Sequence, residues 1–294
     1  NLVAASVATA TALRHFRPLC PSCQVYRMDN EDDHSPSLCA MIESRRELRS
    51  IRSLTMPADR ISDETIARYR NVVVATVYGG VMYQGYEPCF MRGVKPYTPG
   101  RHLVGRAKTL RFVPPRRDIQ RETQALGADS PEYVAMGSCG PGDVMVMDAM
   151  GKSWASIGGD VKLLQLKLTG AAGLVTDGAI RDLDAVKEYG YGLFAGGRTG
   201  AVGIPDAWPL EPNATIQCGG AAVRPGDLIV GDDDGVVVVA AEIAETVIDW
   251  VEEHERAEEY IKALIEKENV SPGKYYNAEN FERLAKKRPW ESSS

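Results

Sequence analysis

The chain has 294 residues, 44% of them hydrophobic and 25% charged, which is enough apolar side chain to bury a full core in one large domain. A formal net charge of −6 argues against a protein that works by gripping a phosphate backbone, so no nucleic-acid partner is expected. No run approaches the roughly eighteen consecutive apolar residues that cross a bilayer, so no membrane partner is expected either.

Residues 1–55 differ from the rest. They open on Ala, Ser and Thr, pass through an acidic cluster from Asp29 to Asp33, and end among Arg45, Arg46, Arg49 and Arg52. Little fixed structure is expected there. The absence of a starting Met and of acidic residues before Asp29 suits an organelle transit peptide; a reading frame that truly starts at Met56 is an equal expectation. Cys20 and Cys23 form a CxxC, but no second pair follows to complete a zinc site. Six scattered cysteines in a chain too long to need disulfide staples point to a reducing, cytoplasmic setting, and the four separated histidines argue against a histidine-rich zinc centre.

The next segment, residues 56–270, reads as the folded domain, with 271–294 a loosely held tail. Ser62 is a good N-cap for a helix over residues 62–71. Glycine- and proline-punctuated segments follow to Arg117, among them an alternating strand over 105–113 with one wet face. Residues 142–148 read as a turn feeding a buried strand. A helix over 160–169 closes at Gly170. A strand over 172–176, a helix over 183–189 and a strand over 192–195 complete an alternation that indicates an α/β core with some parallel pairing. After a Gly- and Pro-rich loop over 196–212, residues 227–239 read as a hairpin turning at Asp234-Gly235, and 242–268 as a long charged helix. Asp232, Asp233 and Asp234 lack the terminal Glu of a calcium loop, so the hairpin turn is preferred.

One spacing carries chemistry. Asp160, twenty intervening residues, and then the adjacent pair Arg181-Asp182 bring two carboxylates and a guanidinium to the mouth of one strand–helix unit. Magnesium-type cations prefer oxygen ligands, keep several waters and take only one or two protein carboxylates. Asp182 suits direct ligation and Asp160 the holding of a metal-bound water. Arg181 offers a planar donor fork, and the N–H groups of Val161 and Lys162 open a helix N-terminus that favours an anion. Together they could grip a 2-oxo acid. The plainer alternative is that Asp160 only caps a helix and Arg181-Asp182 is a surface ion pair.

The runs 159–164, 177–182 and 225–239, in that order, resemble the RraA-like family, which includes 4-hydroxy-4-methyl-2-oxoglutarate/4-carboxy-4-hydroxy-2-oxoadipate aldolases. The resemblance covers about residues 62–268. It implies a β/β/α swivelling-domain sandwich with a mixed sheet and a C-terminal helix, assembled as a homotrimer or dimer of trimers. It further implies Mg²⁺ or Mn²⁺ on Asp182, Arg181 on the pyruvyl oxygen and its enolate, and Asp160 on metal-bound water. Glu258 of a neighbouring subunit would complete that water network, with Glu255 one turn away as the alternative. The activity implied is a metal-dependent lyase that releases pyruvate from 4-hydroxy-2-oxo acids and decarboxylates oxaloacetate. The family also contains non-catalytic regulators that bind an RNA-degrading endonuclease and replace the Asp corresponding to Asp182, which this chain retains. A different metal-dependent lyase or hydratase on sugar-derived acids is a further alternative. The loop 196–208 departs from the aldolase pattern; it is expected either to shape the pocket for a substrate tail, with Arg198 as a carboxylate partner, or to be a subunit contact.

Overall fold

The structure is a computed structural model that describes residues 61–285 and two short antiparallel strands, β1 (Phe16–Pro18) and β2 (Tyr26–Met28). The Cys20–Cys23 pair and most of the expectation for residues 1–55 lie outside the described residues. From Ile61 onward, Ser62 caps α1 (Asp63–Tyr69) by accepting the Thr65 N–H at 3.0 Å, as its sequence suggests. The next helix, α2 (Val74–Tyr83), was not foreseen, because Gly79 and Gly80 depress helix propensity. Its glycines answer to packing: a side chain at Gly80 would press on Trp250, Val251 and Val247 at 3.1–3.2 Å.

A mixed sheet then builds up. β3 (Lys95–Pro96) and β4 (Leu103–Val113) are followed by α3 (Arg117–Gln124) and α4 (Pro131–Gly137), then β5 (Asp143–Asp148) and β6 (Ser156–Gly158). Next come α5 (Asp160–Thr169), β7 (Gly173–Ile180), α6 (Leu183–Lys187) and β8 (Gly192–Arg198). β9 (Trp208–Pro212), β10 (Ile216–Cys218), β11 (Ala221–Val223), β12 (Leu228–Asp232) and β13 (Gly235–Val239) precede α7 (Ala244–Glu268) and α8 (Ala278–Ala285). The order across the main sheet is β13-β12-β4-β5-β7-β8-β3, with β6 beside β7 and β9 beside β4. β4, β5, β7 and β8 run parallel, while β12, β13, β9 and β3 pair antiparallel.

The sheet curls almost into a barrel. Just before β3, at one edge, the Met91 N–H donates to Val236 O and Cys89 O accepts from the Val238 N–H, both at 2.9 Å, on the opposite edge strand. Alternation along the strands sends Val144, Val146, Val175 and Ile229 inward around Phe194. Met145, Met147 and Leu174 face outward under Leu163 and Leu166 of α5, and Val230 and Val237 lie under Val77, Val247 and Val251 of the other helices. Every residue of β7 is buried, as a parallel strand covered on both faces must be. This is the mixed α/β architecture implied by the resemblance.

Several boundaries move. β7 and β8 run on to Ile180 and Arg198, past the expected 176 and 195, because Ala179 pairs with Gly197 and Ile180 with Arg198 beyond a register shift. The supposed loop 196–212 contains β9. Within the expected loose tail, residues 272–285 form a short 3₁₀ turn and α8, whose Phe281 joins Tyr275 against Ala257, Ile261 and Ile265 of α7. The first helices also fasten to α7. Arg68 forks onto Glu252 and Asp249 at 2.7–2.8 Å, Tyr69 donates to Ala244 O at 2.7 Å, and the Val73 N–H donates to Glu255 at 3.0 Å. Among the described residues no helix is long and apolar enough to cross a membrane.

Candidate active site

The start of α5 and the end of β7 are stitched together by backbone. Ile180 pairs with Gly158 of β6, and the Arg181 N–H donates to Gly158 O at 3.0 Å. This sets Gly159-Asp160 alongside Arg181-Asp182, although they are twenty residues apart in the chain. Asp182 turns the chain into α6 with φ 52° and ψ 36°, a left-handed conformation that Asp tolerates better than most residues. Its carboxylate makes no capping bond and leans over Gly159, where any side chain would collide with Asp182 Oδ2. Gly159 has φ −121° and ψ −169°, an extended backbone open to every residue, so the glycine is there for space.

The charges at this junction are largely uncommitted. Arg181 Nε is buried and has no hydrogen-bond partner among the described residues. The neighbouring ion pairs are Lys162–Glu132 at 3.2 Å and Lys187–Asp184 at 4.0 Å; none among the described residues joins Arg181 to Asp182. The alternative of a surface ion pair therefore finds no support. Asp160 is the first residue of α5. Its Oδ1 accepts the Val161 N–H at 2.8 Å, so that donor, expected to await an anion, is engaged locally. The Asp160 carbonyl accepts the Tyr189 hydroxyl at 3.0 Å.

Two hollows flank the junction. One, of about 420 Å³, is lined by Gly158, Gly159, Lys162 and Arg181 together with Phe112, Thr123, Glu132, Ile204 and Trp208. The second, about 290 Å³ and shallow, holds Asp182, Asp184 and Arg198. Lys162 and Arg181 thus share the first hollow and Asp182 and Arg198 the second, while Asp160 lines neither and its backbone lies beside the Arg181-Asp182 pair through Gly159. Glu258 does not join them within the chain. It lies on α7 at 3.8 Å from both His254 and Lys262 and 3.4 Å from the Tyr276 hydroxyl, while Glu255 is the acceptor for Val73. Sequence reasoning passed over Gly159's spatial role and the walls Phe112, Thr123 and Glu132. Trp208, at the end of the flagged loop, was the available signal.

Other reactive groups are spent on the fold. Asp177 accepts the Ala149 and Gly151 N–H groups at 2.7 and 2.9 Å, and the Gln217 amide bridges it to Asp148. Burial raises the Asp148 carboxyl above the ordinary carboxylate range. Burial likewise pushes the thiols of Cys89 and Cys139 up to about 11 and about 12, which leaves them poor nucleophiles. Asp232 accepts the backbone N–H groups of Val74 and Asp234, and Asp233 that of Gly100, so these two carboxylates tie the hairpin to its neighbours.

A divalent cation fits this junction. Among the described residues no three His, Cys, Asp or Glu side chains converge, so a cation here would have to be held by one or two carboxylates and water. The Asp182 carboxylate over Gly159 is the oxygen ligand such a cation could use, and the unpartnered Arg181 Nε is a donor for an anion beside it.

A family model described as "RraA-like: Aldolase/RraA" matches residues 60–238. The chain belongs to the RraA-like family. A curated relative from Halalkalibacterium halodurans, provisionally named a 4-hydroxy-4-methyl-2-oxoglutarate aldolase, is 39% identical over 150 residues, covering 50% of this chain and 63% of the relative. The chain therefore spans less than two thirds of that relative's length. Among solved structures, Streptomyces coelicolor RraAS2, titled an unusual member of the RNase ES inhibitor RraA protein family, aligns with a TM-score of 0.62 at 30% identity, over 68% of this chain and 96% of its own. A Pseudomonas syringae protein at 22% identity and TM-score 0.60, over 73% of this chain and 97% of its own, shares the RraA-like fold.

Proposed function

We propose that this RraA-like chain is a divalent-metal-dependent lyase that cleaves 4-hydroxy-2-oxo acids to pyruvate and a carbonyl product, and that it also decarboxylates oxaloacetate. The observation that supports this most is the unspent Asp182 carboxylate held over Gly159, beside an Arg181 whose Nε has no partner. Asp182 would hold Mg²⁺ or Mn²⁺, which when bound supplies Lewis-acid polarisation of the 2-oxo group. Arg181 donates to the 2-oxo oxygen as negative charge gathers there, the stage at which a fixed donor lowers the barrier most. In the cleavage the C3–C4 electron pair passes to C3, the 4-hydroxyl loses its proton, and the pyruvyl fragment is then protonated at C3. Asp160 orients the water that carries these protons, together with Glu258 of a second copy in a trimer or dimer of trimers. Loss of CO₂ from oxaloacetate leaves the same charge on the same oxygen, so one site serves both reactions.

The deciding experiment is pyruvate release from oxaloacetate and from a panel of 4-hydroxy-2-oxo acids with Mg²⁺ or Mn²⁺, with chelator controls and Asp182→Ala. The RraAS2 likeness favours a second reading, a non-catalytic regulator of a ribonuclease. No activity on any 2-oxo acid, combined with tight binding to an endonuclease scaffold, would establish that reading instead. A panel of sugar-derived acids separates the lyase from a related hydratase.

A further inference from the structure

The 420 Å³ hollow beside Arg181 holds a carboxylate of its own. Glu132 lies in the first turn of α4, and among the described residues it is the one acid that lines the hollow; Asp160 and Asp182 do not. Its Oε1 accepts from Lys162 Nζ at 3.2 Å, in a pair whose side chains are largely covered, Glu132 15% and Lys162 29% exposed. Its Oε2 has no hydrogen-bond partner among the described residues. The backbone sets this pair close to Arg181. The Lys162 chain crosses Gly158, its Cδ 3.3 Å from the point a Cβ would take there, and Gly158 O accepts the Arg181 N–H at 3.0 Å. Hydroxyls in the same lining are poor bases, and two are engaged: Thr123 donates to Ile119 O at 2.9 Å and Ser156 to Gly158 O at 3.3 Å.

We infer that Glu132 is the catalytic base for carbon–carbon cleavage and that Lys162 is the positioning residue that holds it. The carbons bearing the 2-oxo oxygen and the 4-hydroxyl are two bonds apart, so a substrate seated on Arg181 has its 4-hydroxyl in the hollow that Glu132 lines. Cleavage needs a base there. The hydroxyl proton passes to Glu132, and the O–H pair becomes the second bond of the new carbonyl. The C3–C4 bond breaks, and its pair moves to the pyruvyl fragment and onto the oxygen that Arg181 holds. C3 then takes a proton from the water that Asp160 orients, and Glu132 returns its proton to water. Without a base the product would have to leave as a protonated carbonyl; a positioned base accelerates such a step by about 10²- to 10⁴-fold. Oxaloacetate makes no such demand, because its C4 is a carboxylate with no hydroxyl proton to lose. Its decarboxylation uses Arg181 and the proton to C3, and does without Glu132.

This inference rests on the lyase reading, and the test separates the two. Three reactions are measured on the full chain with Mg²⁺: pyruvate release from 4-hydroxy-2-oxopentanoate and 4-hydroxy-2-oxoglutarate, pyruvate release from oxaloacetate, and deuterium exchange into the methyl group of pyruvate, followed by NMR. The last two involve no 4-hydroxyl. Glu132→Gln keeps the size of the side chain and an acceptor for Lys162 but cannot take the proton; Glu132→Asp keeps the carboxylate. Circular dichroism reports the folding of each variant. Glu132→Gln should lower kcat for cleavage at least about 100-fold more than it lowers decarboxylation or methyl exchange, and Glu132→Asp should recover part of the cleavage. An unchanged ratio of cleavage to decarboxylation in a folded Glu132→Gln or Glu132→Asp variant would overturn the role of Glu132 alone. So would a wild type that decarboxylates oxaloacetate and cleaves neither 4-hydroxy acid. A wild type inactive in all three assays would overturn the lyase reading and this inference with it.

Discussion

Replacing Gly159 by alanine adds a single methyl group at a backbone conformation that alanine adopts freely, φ −121° and ψ −169°, so any effect comes from the methyl itself. That methyl collides with Asp182 Oδ2 and lies 3.4 Å from Arg181 Cβ. Restoring ordinary contact requires the carboxylate to retreat by about 1 Å, and a misplacement of that size in a catalytic constellation costs on the order of 100-fold in rate, or about 2.7 kcal/mol of barrier. Asp182 is exposed, so thermal unfolding should barely change. Gly158→Ala is the control: its methyl meets the flexible Lys162 chain at 3.3 Å and Leu163 at 3.4 Å, and should cost far less. The assay is Mg²⁺- or Mn²⁺-dependent pyruvate release coupled to NADH oxidation, with metal affinity read from the metal titration. A Gly159→Ala variant with wild-type rate and metal affinity would refute the argument that Asp182 works from over Gly159.

Arg181→Lys keeps the charge but loses the planar fork; kcat should fall by about 10²- to 10³-fold with a smaller change in KM, measured by steady-state kinetics. Phe194 fills the inside of the curled sheet and presses within 3.1 Å of the position a Gly231 side chain would occupy, so Phe194→Ala should destabilise the domain by about 3–5 kcal/mol in urea unfolding. The Asp148 carboxyl is raised by burial, so the folded state binds more protons than the unfolded state between the ordinary carboxylate pKa and the raised value. Its ionisation therefore costs stability at neutral pH, and that cost is returned as pH falls through the raised value. Wild type should gain stability relative to Asp148→Asn over that acidic window, measured by chemical unfolding across pH. Glu252, lowered by its hydrogen bond to Arg68, works in the opposite sense below the ordinary Glu range and is common to both proteins.

The legible parts of the sequence were those where local chemistry and tertiary demand agree. Ser62 and Gly170 mark their elements because capping and left-handed C-caps use few residue types; the hairpin was legible too, but its turn falls on Asp233-Asp234, one position before the expected Asp234-Gly235, because Asp232 pairs with Gly235. The Asp160 to Asp182 spacing was legible as a neighbourhood because a parallel strand and its preceding helix share an end. α2 was hidden, since Gly79 and Gly80 answer to Trp250, which lies far along the chain. The pouch walls Phe112, Thr123 and Glu132 come from separate segments with no shared period, and the role of Gly159 exists only once Asp182 adopts its left-handed turn.

The attachment of α1 and α2 to α7 also governs how the chain must be made. Val77 and Val81 pack with Val247, Ile248 and Val251, and Arg68 reaches Glu252 across 184 positions of sequence. During synthesis the early helices leave the ribosome with their apolar faces uncovered and stay so until α7 emerges. Such long-range closure is slow and exposed to aggregation. Expression should therefore reward slow translation or chaperone supply, and a fragment cut before residue 244 should be recovered mainly as inclusion bodies.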